Sequence, residues 1–427
     1  MRGLSLGLDL GTSGIRSAVI DASGAVLSMA RGEYGPTDPD RIDATAWWRG
    51  VEACLTAQMV ALRREGFDPA DISRIGVDGT SGSMVVTDAD LRPVTRALMY
   101  NSGGFLPEAE RVAALAPDPH ITRGPNSALT RALRLLAEDR GGNAAHLLHQ
   151  ADYITAKLSG QGGYSDHNNA LKTGFDPATG AWPDWFGALG LPMEVLPKVL
   201  PAGAPVAPLA PNIAARFGLS PQATVHVGTT DSIAAFLAAA PMQIGAAVTS
   251  LGTTLAVKIL SPQRIDAPDI GLYAHRLGDG WLVGGASNSG GGVLRQFFND
   301  EEIAALSGQI DPARPSELDY YPLPAPGERF PINDPHLAPR LEPRPENDAA
   351  FLHGLLEGIA RIEARCYGEM TARGAGVPEP LFTAGGGAQN PVWTAIRARV
   401  LGRDIFQAEH TEAAIGTARL ISRVDAG

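Results

Sequence analysis

Apolar runs separated by glycine-rich turns set the pattern at the start of the chain. Leu4–Leu10, Arg16–Asp21 and Ala25–Tyr34 read as three strands of a meander, with Ser23-Gly24 as one of its turns. A helical period follows from about Thr45, with Trp47, Trp48, Val51, Leu55, Met59 and Leu62 on one face. Ile72–Asp78 and Met84–Thr87 read as further strands. Helical stretches over Ala128–Arg140 and Asp152–Leu158 stop at Gly141-Gly142 and Ser159-Gly160. Pro201–Pro211 is dense in proline and reads as a connection. Ala223–Val227 is a short buried strand, and Ser232–Ala240 a short helix halted by Pro241.

A second set of strands starts at Gly245: Ala246–Leu251, a turn at Gly252-Thr253-Thr254, then Leu255–Leu260. The order strand, Gly-Thr turn, returning strand repeats the opening of the chain and suggests two similar halves. The boundary falls near Pro241–Gly245, giving domains 1–242 and 243–427. Asp311–Pro345 reads as an extended surface loop, and Ala349–Arg373 as one long helix burying Phe351, Leu355, Leu356, Ile359, Ile362 and Cys366.

Composition narrows the class. At 427 residues the chain exceeds one ordinary core. It carries 50 glycines, against a norm of about 7%, and 19% charged residues, which suits a compact α/β enzyme with many tight turns. A net charge of −11 offers no basic field for nucleic acid. It leaves nucleotide binding open, since that relies on local backbone donors. Cys54 and Cys366 each sit in a helical pattern as buried thiols, too few for a metal cluster. No apolar run approaches the ~20 residues of a membrane span, so a cytoplasmic protein with no membrane or nucleic-acid partner is expected.

Three glycine-and-hydroxyl turns follow strands, at Gly11-Thr12-Ser13-Gly14, at Gly79-Thr80-Ser81-Gly82 and at Gly228-Thr229-Thr230-Asp231. In doubly wound α/β proteins ligands gather at such strand ends. Successive N–H groups in the first turn can cradle an anion, Thr12 and Ser13 add donors, and Gly11 and Gly14 can take positive φ. Asp9 beside phosphate oxygens makes sense with a divalent cation bridging them. The same turn also fits a plain hairpin, and Asp231 a plain helix cap. A glycine triplet, Gly385-Gly386-Gly387, precedes a helix that starts at about Pro391 and permits close approach of a flat or anionic ligand. No Walker loop, Gly-x-Ser-x-Gly elbow or metal-ligand histidine spacing occurs.

The order of these elements resembles the FGGY carbohydrate kinases, of the actin-like ATPase superfamily. The segments that carry the resemblance are Gly7–Gly14, Asp152–Leu158, Ser165–Ala170, Gly228–Asp231, Gly245–Thr254, Gly284–Gly292, Gly327–Pro331, Gly385–Asn390 and Glu412–Leu420. The resemblance implies an α/β fold of two ribonuclease-H-like domains flanking a nucleotide and sugar cleft. Sugar would bind to the N-terminal domain and ATP with Mg²⁺ to the C-terminal one. By the same resemblance, Asp9 organises Mg²⁺ and the phosphates, and Asp231 is the general base. Gly11, Thr12, Ser13 and Gly14 match the first phosphate loop, Gly252 and Thr253 the second, and Gly386, Gly387 and Asn390 the adenosine motif.

The family's Trp-x-Asp-x-Arg segment is replaced here by Tyr100-Asn101-Ser102-Gly103-Gly104, and the Met-His pair typical of xylulokinases by Thr80-Ser81-Gly82. These features are similar to those of the compact cyanobacterial and plant-type D-ribulokinases, which implies a sugar site of Asp9, Ser81 and Asp231 with Arg16 nearby. The expected reaction is phosphorylation of a free pentulose, D-ribulose to D-ribulose 5-phosphate, by a monomer or homodimer. D-xylulose or L-ribulose is the alternative acceptor. A non-catalytic actin-like ATPase is a further alternative.

Overall fold

The computed structural model describes residues 3–34 and 42–423. Residues 1–2, 35–41 and 424–427, which include both ends of the expected domains, lie outside them. The chain forms two compact units, Met1–Ala238 with Glu412–Gly427, and Ala239–Thr411. Where the sequence suggested one boundary near Pro241–Gly245, the chain therefore passes between units twice.

In the first unit a six-stranded sheet has the order Val26–Gly32, Ile15–Ile20, Leu4–Leu10, Ile72–Gly79, Thr224–Thr230, Pro205–Pro208. The first three strands are antiparallel, and Leu4–Leu10, Ile72–Gly79 and Thr224–Thr230 run parallel. Their carboxyl ends therefore share one edge. The two-residue period of the first strand explains its place. Leu4, Leu6, Leu8 and Leu10 join one core with Trp47, Val51, Cys54 and Leu55 of the helix Thr45–Arg64. The intervening Gly7 lies under the helix Ala413–Ser422, where a Cβ would stand 2.0 Å from the Ala414 carbonyl oxygen.

Two readings of this unit need correction. Pro205–Pro208 is not a bare connection but an antiparallel strand on Thr224–Thr230. Proline is tolerated there because an edge strand has one side with no ladder to satisfy. In the first turn, Gly14 takes positive φ (156°) as expected, whereas Gly11 does not. Proximity also requires glycine at position 14, since a Cβ there would lie 2.9 Å from the Gly32 carbonyl oxygen.

The second unit repeats the plan. Its sheet has the order Tyr273–Leu277, Gly280–Ser287, Leu255–Ser261, Ala247–Leu251, Leu381–Ala384, Ile405–Gln407. Reading from Gly280–Ser287, the pairings run antiparallel, antiparallel, parallel, parallel, as they do from Val26–Gly32 in the first unit. The expected two-unit α/β architecture with similar halves is therefore observed. The long helix Asp348–Ala372 buries the six residues its period predicted. Residues 311–345 are not simply a surface loop, because Tyr320, Leu323, Glu328 and Phe330 are buried. Glu328 ties that segment to the sheet, accepting from Ser287 Oγ at 2.6 Å, Asn288 N at 2.7 Å and Tyr321 Oη at 2.9 Å.

Both cysteines are buried free thiols, and among the described residues no helix is long and apolar enough to cross a membrane. Two features invite direct tests. A Cβ on Gly416 would meet the Ala234 carbonyl oxygen at 1.8 Å, so the last helix packs on Asp231–Ala239 only through glycine. Gly416→Ala should cost about 1–3 kcal/mol and lower the Tm by about 5 °C, read by thermal melting. In the second unit the fully buried Arg397 donates to Glu363 Oε2 at 2.6 Å, Glu363 Oε1 at 2.8 Å and Thr383 Oγ1 at 2.8 Å. Glu363→Ala strands that guanidinium and should cost about 3–5 kcal/mol in denaturant titration.

Candidate active site

The parallel register of the first unit sets Asp9 beside Asp78. Asp9 is 4% exposed and Asp78 fully buried. Two carboxyls cannot share such a place as free anions, and the surroundings show how the conflict is met. Arg16, across the hairpin from Asp9, donates through Nη1 to Asp9 Oδ2 at 3.3 Å. Its Nε faces Glu412 at 3.1 Å, at the start of the helix Ala413–Ser422. From that helix Thr417 donates to Asp78 Oδ2 at 2.5 Å. Burial first, and then the charge of Asp9, pushes the Asp78 carboxyl well above the ordinary range. Asp9 is also raised, chiefly by burial, while Arg16 pulls it back.

Asp231 begins the helix Asp231–Ala239, directly after the parallel strand Thr224–Thr230. It is half-buried, and its charge also raises Asp78. The strand bulges just before it, between His226 and Thr229. A Cβ on Gly228 would stand 1.8 Å from the Val77 carbonyl oxygen, so the bulge requires glycine. The expected acids Asp9 and Asp231 thus occupy the same sheet edge, with Arg16 and Ser81 in the same unit. Asp78, at the head of the turn Gly79-Thr80-Ser81-Gly82 and given no role by the motif, joins them; Gly-Thr follows it directly, whereas Leu10 stands between Asp9 and Gly11-Thr12.

Around this edge several buried side-chain atoms have no hydrogen-bond partner: Asp78 Oδ1, Ser81 Oγ, Gln150 Nε2, His149 Nδ1 and Thr230 Oγ1. His149 is neutral, its pKa held down at about 3 by burial and then by Arg131. Arg131 is a second residue that motif reading missed. It is buried and donates to the carbonyls of Gly82 (2.9 Å), Tyr100 (3.0 Å), Ser102 (2.9 Å) and Asn126 (2.9 Å). Burial lowers its pKa to about 10, which leaves it charged. It fixes both segments, Gly79–Gly82 and Tyr100–Ser102, in which the family pattern is replaced.

The first turn closes on itself, with Gly11 N–H donating to the Gly14 carbonyl at 3.0 Å. Thr12 and Ser13 are exposed, their hydroxyls accessible at the strand end. Tyr34 Oη donates to the Gly11 carbonyl at 2.7 Å and holds the turn from behind.

In the second unit the turns at Gly252 and Gly385 follow adjacent parallel strands and so also share an edge. Gly252 and Thr253 are exposed. Their carbonyls accept from Gly291 N at 2.9 Å and Gly292 N at 3.0 Å, a contact only glycines allow, since a Cβ on Gly291 would lie 2.8 Å from Gly252 O. A Cβ on Gly386 would meet nothing within 4 Å, whereas one on Gly387 would strike Trp393 at 2.8 Å. Open space for a ligand therefore lies at Gly386. The Asn390 side chain is occupied structurally: Oδ1 accepts from Trp393 N at 3.0 Å and Nδ2 donates to Ser307 Oγ at 2.8 Å.

Comparison with known proteins agrees with this fold. The xylulose kinase of Escherichia coli K12 is 23% identical over 97% of this chain and 89% of that protein. The xylulose kinase of Streptomyces rubiginosus is 26% identical over 94% and 84%. A gluconokinase of Bacillus licheniformis is 23% identical over 96% and 84%. In fold, the chain is similar to the crystal structure of a xylulose kinase from Rhodospirillum rubrum, with a TM-score of 0.84, 21% identity and coverage of 99% and 91%. The family model for the N-terminal domain of the FGGY carbohydrate kinases matches residues 4–123 and 129–238, and that for the C-terminal domain matches 247–423. The chain belongs to the FGGY family of carbohydrate kinases.

Proposed function

We propose that this kinase transfers the γ-phosphoryl group of ATP to the terminal hydroxyl of a free pentulose, D-ribulose before D-xylulose, with Asp231 as general base. The observation that carries the reading is the group of buried, unpartnered polar atoms around Asp9, Asp78 and Asp231. Leaving such atoms unpaired costs about 1–3 kcal/mol each, so the site is built for a ligand rich in hydroxyl groups. The preference for D-ribulose rests on the replacement of the xylulokinase Met-His pair by Thr80-Ser81-Gly82. D-xylulose remains the second reading because relatives over nearly the whole chain are named xylulose kinases.

Asp231 accepts the proton of the attacking hydroxyl, and its place at the first turn of a helix favours the carboxylate form that a base needs. Asp9 and Ser81 bond the sugar, and Arg16 offsets the charge of Asp9. For ATP, the residues assigned to the phosphates are Thr12, Ser13 and Gly14, with Gly252 and Thr253, and those assigned to the adenosine are Gly386 and Gly387, with Asn390 shaping their turn. Mg²⁺ fits this donor set: Asp9 supplies one carboxylate, beside the unpartnered Oδ1 of Asp78. Such sparse protein ligation suits a cation that keeps waters and takes substrate phosphates, and it supplies neutralisation of the phosphate charge. The remaining catalytic work is positioning, which preformed turns provide.

Asp231→Ala should lower kcat by about 10²–10⁴-fold while nucleotide affinity stays within about twofold. ADP release with D-ribulose, D-xylulose, L-ribulose, ribitol and glycerol, against a no-sugar control, checks the acceptor. Release equal in every case would contradict sugar phosphorylation.

A further inference from the structure

Gln150 opens the helix Gln150–Ser159, is completely buried, and lies over the turn that follows Asp78. Its Oε1 accepts twice from Thr80, from the backbone N–H at 3.1 Å and from Oγ1 at 2.7 Å. A backbone N–H can only donate, so this pair of bonds fixes which end of the amide is oxygen. A Cβ on Gly79 would stand 3.2 Å from Oε1, so glycine makes room for the arrangement. The Thr80 hydroxyl is itself held by Ser83 Oγ at 2.6 Å, and Gln150 N donates to the Ser83 carbonyl at 2.9 Å. The amide is therefore anchored through its oxygen, and the backbone that carries it through Ser83. Its Nε2, carrying two N–H donors, is buried and makes no hydrogen bond of normal length; one N–H faces the Tyr34 hydroxyl, which leaves the other for a ligand.

Thr80, which holds Oε1, stands two residues after Asp78, and Tyr34 is fixed to the Gly11 carbonyl, two residues after Asp9. The Gln150 amide therefore lies at the same strand ends as the two acids. An amide nitrogen cannot accept a hydrogen bond, so its complement on a ligand is an acceptor oxygen.

The chemistry of the acceptor selects which oxygen. A ketopentose closes its furanose ring by adding the C5 hydroxyl to the C2 carbonyl. Phosphorylation at C5 therefore requires the open-chain form, in which O5 is free and C2 carries a carbonyl that only accepts hydrogen bonds. We infer that Gln150 is a specificity-determining residue whose Nε2 donates to the C2 carbonyl of an open-chain pentulose, favouring the keto sugar over the corresponding polyol. This rests on the pentulose kinase reading above and adds to it the form of sugar that is bound.

The test compares D-ribulose with ribitol, which has a hydroxyl in place of the carbonyl, in wild type and in two variants. Gln150→Glu keeps the oxygen that Thr80 holds and turns the donor into an acceptor. Gln150→Met keeps the length and has neither polar group, so it covers a failure of the first variant to fold. Calorimetric Kd values for both ligands, kcat/KM for D-ribulose, the nucleotide Kd and the Tm are measured. The inference predicts a loss of about 10- to 100-fold for D-ribulose and little change for ribitol, so the ketose-to-polyol ratio collapses at least tenfold. Nucleotide affinity should stay within twofold. Equal weakening of both ligands, or an unchanged ratio, overturns the inference and leaves the kinase reading standing. A wild-type protein that neither binds D-ribulose nor releases ADP in its presence overturns both.

Discussion

The structure of the first unit turns on one constraint: the parallel pairing of Leu4–Leu10 with Ile72–Gly79 places the carboxyls of Asp9 and Asp78 side by side, away from water. Such a pair is costly unless each member is bonded or neutralised. The segment Glu412–Ser422 supplies much of what is needed. Glu412 holds Arg16 against Asp9, Thr417 donates to Asp78, and Gly416 lets the helix rest on the one that starts at Asp231. Two acids from two strand ends, and the packing of the helix that follows the third, thus depend on one short segment near the end of the chain. That dependence explains why the segment packs with the first unit although it follows the second in sequence.

Much of this was legible in the residues. The strand ends at Asp9, at Gly79 and before Asp231 announce themselves through Asp, Gly and hydroxyl residues, and the repeat of that pattern after Gly245 foretold the two similar sheets. What stayed hidden depends on distant pairing. Asp78, like Asp9, ends a strand just before a Gly-Thr turn, but only the register shows the two carboxyls to be neighbours. Thr417 lies 339 residues from Asp78, and no local signal links them. Gln150 escapes the sequence pattern because the helical period shows only from Asp152, two residues after the helix begins. The prolines of Pro205–Pro208 argue against a strand only by a rule that holds for central strands and not for edges.

The second unit follows a different logic at its corresponding edge. Its turns at Gly252 and Gly385 expose backbone rather than acids, and what holds them is a buried network. Arg397 and Glu363 join the helices Pro391–Leu401 and Asp348–Ala372, while Thr383 and Thr249 connect that pair to the two strands that carry the turns. One unit therefore concentrates charge and unpaired side-chain donors, and the other offers rigid, glycine-lined backbone. This division suits a reaction in which one substrate is recognised by its hydroxyls and the other by its phosphates and flat base.

The most direct measurement is a crystal structure of the nucleotide-free protein with D-ribulose bound. The account predicts an open-chain sugar at the edge of the first sheet, with its oxygens within hydrogen-bond distance of Asp9, Ser81, Asp231 and Gln150 Nε2. A sugar bound elsewhere, or a furanose ring at this edge whose oxygens leave Asp231 and Gln150 untouched, would contradict it.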